Sequence, residues 1–289
     1  MTKTILAAFA IVSFAVLAAQ AASPGASSSR AATPAVPVSF KSEKSKVVQR
    51  ALRQSVRVEV LTRGKVARAA SGVVVATEGN TSYVLTNQHV VEREGLASTA
   101  SFEVVVERPK LHRLPAKVVF EGHVPEEDLA LLAVEGEKLD AVAIAAEGQV
   151  DVGDDVVVVG APYGRSLSVS SGIVSQLELD EQDAHVQRSM KTDAPIGYGA
   201  SGGGVFALPS GRLCGLVEGY RTAKVAFGGI SKDDYSFDVP MPGETFLSPP
   251  TKIHGFLIRA GIGKLAGLGD ARTFASTPQG AAAPVARAR

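Results

Sequence analysis

Three short segments follow one another along this chain: Tyr83-Val-Leu-Thr-Asn-Gln-His89-Val-Val, Glu127-Asp128-Leu-Ala-Leu-Leu-Ala-Val134, and Gly197-Tyr-Gly-Ala-Ser201-Gly-Gly-Gly204. Together they supply an imidazole, a carboxylate and an aliphatic hydroxyl. A serine hydroxyl is a weak nucleophile at neutral pH. It needs an imidazole to take its proton, and a carboxylate to fix the imidazole tautomer and stabilise the imidazolium. His89 is expected as the base, Asp128 as its orienting acid and Ser201 as the nucleophile. His112, His123, His185 and His254 stand in no comparable context. Within Glu126-Glu127-Asp128, the acid directly before the apolar run is the one positioned to turn inward. This chemistry requires neither metal nor cofactor, and none is expected.

Groups so far apart in sequence meet only if a fold brings them together. Short Val-rich runs, punctuated by Gly, Asn, Asp or Pro, recur at residues 56–61, 72–76, 83–86, 102–107, 116–120, 129–134, 156–160, 167–174 and 213–217. Many short strands without alternating long helices predict an all-β sandwich or barrel. Helical patterns are confined to 45–52 and 252–260. In the second, Ile253, Phe256, Leu257 and Ala260 share one face, as a helix packing on a barrel requires. The apolar pattern is interrupted near 136–150. The expected organisation is a signal peptide at 1–21, an Ala/Ser/Pro-rich linker at 22–44, a first barrel at 45–140, a second barrel with its closing helix at 141–262, and a flexible tail at 263–289.

Residues 71–92, 127–134, 152–175 and 192–217 resemble the trypsin-like serine endopeptidases of the chymotrypsin fold, most of all the bacterial Deg/HtrA-type catalytic domain. The order His, Asp, Ser is the one this fold uses. The resemblance spans residues 70–247 and implies two six-stranded antiparallel β-barrels with a short C-terminal helix. It also implies hydrolysis of peptide bonds in unfolded or flexible proteins through an acyl-enzyme. No stretch after residue 260 is long enough for the PDZ modules many Deg proteins carry. In the family, the amides of the nucleophile and of the residue two before it form the oxyanion hole, which here means Ser201 and Gly199. Trypsins hold their oxyanion loop through an aspartate directly before the nucleophile. Ala200 cannot take that role, so the loop must be held in another way.

Pro195 occupies the place of the aspartate at the base of the trypsin pocket. The resemblance therefore implies an apolar, shallow primary pocket, narrowed by Ile196, Tyr198 and Val217, and cleavage after small or medium aliphatic residues. Glu218 is the exception, because a carboxylate on the substrate-pairing strand at 217–220 would favour a basic residue. Two other readings are a catalytically silent binding module on the same fold and a small ester or amide hydrolase. The first loses ground because the triad is complete, the second because no Gly-x-Ser-x-Gly elbow follows a βα unit.

The 289 residues, 45% of them hydrophobic, suffice for two barrels. Thirty basic against 29 acidic residues generate no field to attract nucleic acid. The N-terminus carries Lys3, an apolar run over 5–19 and the small-x-small site Ala19-Gln20-Ala21, the pattern of an export signal. The run is shorter than the ~20 residues that span a bilayer, so no stable membrane insertion is expected once the signal is cut. Localisation is expected to be periplasmic or secreted, with protein or peptide substrates as partners. Cys214 is the only cysteine, so no internal disulfide can form, and its apolar context predicts a small buried hydrophobe.

Overall fold

The computed structural model describes residues 42–93, 100–183, 186–227 and 235–268. The expected signal segment, almost all of the linker and the tail beyond 268 lie outside the described residues, as does His185. Twelve strands form two closed six-stranded barrels in which every pairing is antiparallel. The first contains β1 (Ser55–Thr62), β2 (Lys65–Glu78), β3 (Thr81–Thr86), β4 (Ser101–Val106), β5 (His112–Glu121) and β6 (Ala130–Glu135) in the order β1-β2-β3-β6-β5-β4. The second contains β7 (Asp155–Gly160), β8 (Ser168–Leu179), β9 (Gln187–Thr192), β10 (Gly204–Ala207), β11 (Leu213–Phe227) and β12 (Tyr235–Ser248) in the order β10-β11-β12-β9-β8-β7. Among the described residues, three α-helices accompany them: α1 (Glu43–Gln54), the short α2 (Gln88–Val91) and α3 (Pro250–Arg259).

In β2 and β7 the Val-rich run is buried on both faces, whereas β5 and β8 leave much of their surface open. On β2, Val74 points into the first barrel while its neighbours Val73 and Val75 join a core between the barrels. On β7, Val156 and Val158 fill the second barrel while Val157 and Val159 join that same shared core. Side chains alternate across a strand, so a continuous apolar run is what such a doubly covered position requires. The shared core is completed by Val47, Ala51 and Leu52 of α1 and by Ile253, Phe256 and Leu257 of α3, all buried. Both helices thus fasten the barrels to one another.

Local chemistry sets the ends of these helices. Ser42 caps α1 by accepting from the Ser45 amide at 3.1 Å, and α3 begins with Pro250 in its first turn, where no amide is needed. The helix therefore already occupies positions 43 and 44, inside the expected linker. At the other end, Ala266 is buried in the shared core and Leu268 packs against it, so packed chain extends into the stretch expected as a tail.

Candidate active site

His89 lies on α2, one turn of helix after β3. Arg68 donates to the carbonyls of His89 and Val90 at 2.6 and 3.2 Å, satisfying acceptors that so short a helix leaves open. Asp128 lies two residues before the start of β6, the strand paired with β3. Its carboxylate is engaged twice by one residue: Oδ1 accepts from the His89 backbone amide at 3.0 Å and Oδ2 from His89 Nδ1 at 2.6 Å. A carboxylate only accepts, so Nδ1 carries the proton and Nε2 presents its lone pair outward. Asn87 adds a third tie, donating from Nδ2 to the Asp128 carbonyl at 2.8 Å. Glu127 turns the other way, into an ion pair with Arg259 of α3.

Ser201 lies between Gly199 and β10. Its hydroxyl donates to the Glu218 carbonyl at 3.3 Å and makes no hydrogen bond to His89. Around it, four successive carbonyls are held. Tyr198 O accepts from the Tyr163 amide at 2.5 Å, Gly199 O from Ser71 Oγ at 2.8 Å, Ala200 O from the Gly203 amide at 2.8 Å, and Ser201 O from the Ser71 amide at 2.9 Å. In a trans peptide the N–H points opposite to the preceding C=O. The Gly199 and Ser201 amides, opposite the held carbonyls of Tyr198 and Ala200, have no acceptor among the described residues. The conformation demands glycine at 199: φ is +86°, and a Cβ would stand 2.8 Å from Ala161 O.

A concave surface adjoins this segment, lined by Asp193, Pro195, Ile196, Tyr220, Met241, Pro242, Gly243 and Thr245 around 170 Å³. Ile196, expected on the pocket wall, lines it. Tyr198 is exposed and stands in a row with Tyr163 and Tyr220, with ring centroids 6.3 and 5.6 Å apart. Val217, also expected on the wall, is fully buried in the core of the second barrel, beside Cys214 and Leu247. Glu218 directs Oε1 to Ser248 Oγ at 2.6 Å and lies 3.8 Å from Lys252 Nζ, and it does not line the concavity. The carboxylate that does line it is Asp193, which sequence reasoning passed over; its Oδ1 accepts from the Ile173 amide at 2.7 Å. Tyr163 and Tyr220 were likewise missed, having no sequence motif. The Tyr220 hydroxyl is buried, and burial, with the Tyr198 hydroxyl near it, pushes its ionisation up. Burial likewise raises the Cys214 thiol to about 12, and its Sγ lies 3.3 Å from Val205 O, which marks it as structural.

Comparison with known proteins gives this geometry a lineage. Residues 70–216 match the trypsin-like peptidase domain. A probable periplasmic serine endoprotease, DegP-like, from Ectopseudomonas mendocina is 32% identical over 193 residues, which cover 67% of this chain and 37% of the relative. This chain thus corresponds to little more than a third of that relative's length. Among solved structures, the HtrA-type protease AlgW with tripeptide superposes with a TM-score of 0.57 at 24% identity, covering 77% of this chain and 64% of that one. A serine endoprotease from Yersinia pestis gives 0.56 at 22%, covering 76% and 66%. With its twin six-stranded barrels, and a domain match running from within β2 to β11, the chain belongs to the trypsin-like peptidase family and has DegP/HtrA-type serine endoproteases among its relatives.

Proposed function

We propose that this chain is an exported serine endopeptidase in which His89 is the general base, Asp128 its orienting acid, Ser201 the nucleophile, and the Gly199 and Ser201 amides the oxyanion hole. The observation that carries this reading is the pair of unpaired amides at Gly199 and at Ser201 itself, in a chain whose His89 is locked in the tautomer that leaves Nε2 free to accept. For reaction the Ser201 hydroxyl must exchange the Glu218 carbonyl for His89 Nε2. Such contacts are commonly loose before substrate arrives. Attack of Oγ on the scissile carbonyl then transfers the proton to Nε2, and the carbonyl oxygen takes up negative charge between the two amides. Losing one such donor typically costs about 3 kcal/mol of transition-state stabilisation. His89 next protonates the leaving amine. Water deacylates the ester by the same steps in reverse order.

The substrate class is a flexible polypeptide, bound as an added strand along the open edge of β11 from Glu218 onward. Export is supported by the N-terminal apolar run and by relatives described as periplasmic. No described helix is long and apolar enough to cross a membrane. Pro195, Ile196, Met241 and Pro242 favour a small or medium aliphatic side chain before the cut. A second reading, cleavage after Lys or Arg, rests on Asp193 among the same lining residues.

The test pairs fluorophosphonate labelling and hydrolysis of a denatured-protein mixture with a peptide-library profile. Ser201→Ala is expected to lose labelling and to lower kcat by about 10⁶-fold while staying folded, because triad members act as a unit. Substantial turnover by the folded variant would overturn the assignment. Dominant cleavage after Lys or Arg, abolished in Asp193→Asn and retained in Glu218→Gln, would replace the aliphatic reading by the basic one.

A further inference from the structure

We propose that Ser71 is the positioning residue that holds the oxyanion segment in its active shape, taking the place of the charged tether that Ala200 cannot provide. This rests on the peptidase reading above. Ser71 lies on β2 in the first barrel and is fully buried. Its hydroxyl accepts from the Ala161 amide at 2.8 Å and donates to the Gly199 carbonyl at 2.8 Å. The direction is forced: an amide can only donate, so the single hydroxyl proton must go to the carbonyl. The Ser71 backbone amide donates to the Ser201 carbonyl at 2.9 Å. One residue therefore grips the carbonyls on the C-terminal side of both Gly199 and Ser201, the two residues whose amides face the developing charge.

The grip matters because glycine resists almost no rotation of its own. With φ at +86°, nothing intrinsic to Gly199 keeps its amide turned toward the substrate. Fixing the Tyr198 carbonyl before it and the Gly199 carbonyl after it removes both soft dihedrals. Ser71 is also tied to the base. Its carbonyl accepts from Thr86 Oγ1 at 2.8 Å, and Thr86 is followed by Asn87, which binds the Asp128 carbonyl. Gly202 seats against the same point, where a Cβ would lie 2.2 Å from Ser71 O. The distance between base and oxyanion hole is thereby set through a neutral network, with no ion pair and no new N-terminus.

The experiment uses the full chain and normalises all rates to sites titrated with a fluorophosphonate. Ser71→Ala is expected to lower kcat per titrated site about tenfold to a hundredfold, since misplacement of a transition-state donor by a fraction of an ångström acts on chemistry and not on binding. KM should change less than about threefold and the pH midpoint should stay put, because uniform binding and the His89–Asp128 pair are untouched. Ser71→Thr, which keeps the hydroxyl, should recover most of kcat. A purely structural role would lower Tm and the titratable fraction but leave kcat per site unchanged, and that result overturns the proposal. Should Ser71→Ala not fold, Ser71→Cys is read the same way: an unchanged kcat per site in that folded variant overturns it. A wild-type protein that neither labels nor turns over would instead overturn the peptidase reading and this proposal with it.

Discussion

The two barrels contribute to the site in different ways. The first delivers His89 and Asp128 through side chains: both carboxylate oxygens are engaged by one residue, so identity at each position is what counts. The second delivers the proposed oxyanion segment through backbone groups, with four consecutive carbonyls pinned, and what counts there is conformation. The base half should accordingly fail when an atom type changes, and the nucleophile half when a dihedral changes.

Asp128→Asn is the sharpest way to break the first half of that contrast. An amide nitrogen facing His89 Nδ1 would donate where the ring must donate, moving the ring proton to Nε2 and leaving no base toward Ser201. A loss of about 10⁴-fold in kcat is expected with Tm nearly unchanged. A loss below tenfold in the folded protein would mean the carboxylate does not set the tautomer.

The second half is tested by Gly199→Ala. Its Cβ would meet Ala161 O at 2.8 Å in a left-handed conformation. An expected loss of about 10²–10³ in kcat accompanies about 1–3 kcal/mol of destabilisation, seen in kinetics and urea melts. Gly79→Ala is the control, since φ there is also positive, at +57°, but a Cβ meets nothing within 4 Å. Equal damage at both positions would dissolve the distinction between a held conformation and an ordinary loop.

A smaller effect separates the barrels by pH. In the first, His112 is raised above 6.5, chiefly by its hydrogen bond to the Lys110 carbonyl and also by Glu137 at 2.6 Å. Its contribution to stability is full below 6.5 and fades as pH rises through the raised value. On α3, His254 is held below 6.5, chiefly by burial, with Glu147 opposing. The fold prefers it neutral, so its contribution is present above 6.5 and is lost as pH falls toward the lowered value. Urea melts between neutral and mildly acidic pH should therefore show a shallower acid loss for His254→Gln and a steeper one for His112→Gln. The same slope change in both variants would contradict these opposite signs.

Much of this was legible in the residues themselves. Nine of the twelve strands coincide with Val-rich runs; the run is continuous where a strand is covered on both faces, as in β7, and alternates where it is not, as in β5. The three others lacked that mark. β9 (Gln187–Thr192) is largely polar, β10 (Gly204–Ala207) spans four residues, and β12 is broken by Pro240, Pro242 and Gly243. Their pairing comes from barrel closure and not from local preference. The short context of each motif marks His89, Asp128 and Ser201 as candidates, of which the structure pairs the first two, and glycine at 199 announced unusual backbone. Only the tertiary structure decided where Val217 and Glu218 point, that Asp193 lines the concavity, and that Ser71 bridges the barrels. The Ser71 contacts join residues 90 and 128 positions apart. A hydrogen bond across such a separation leaves no trace in sequence pattern, because a buried serine on a strand looks the same whether its hydroxyl holds a catalytic loop or a neighbouring carbonyl.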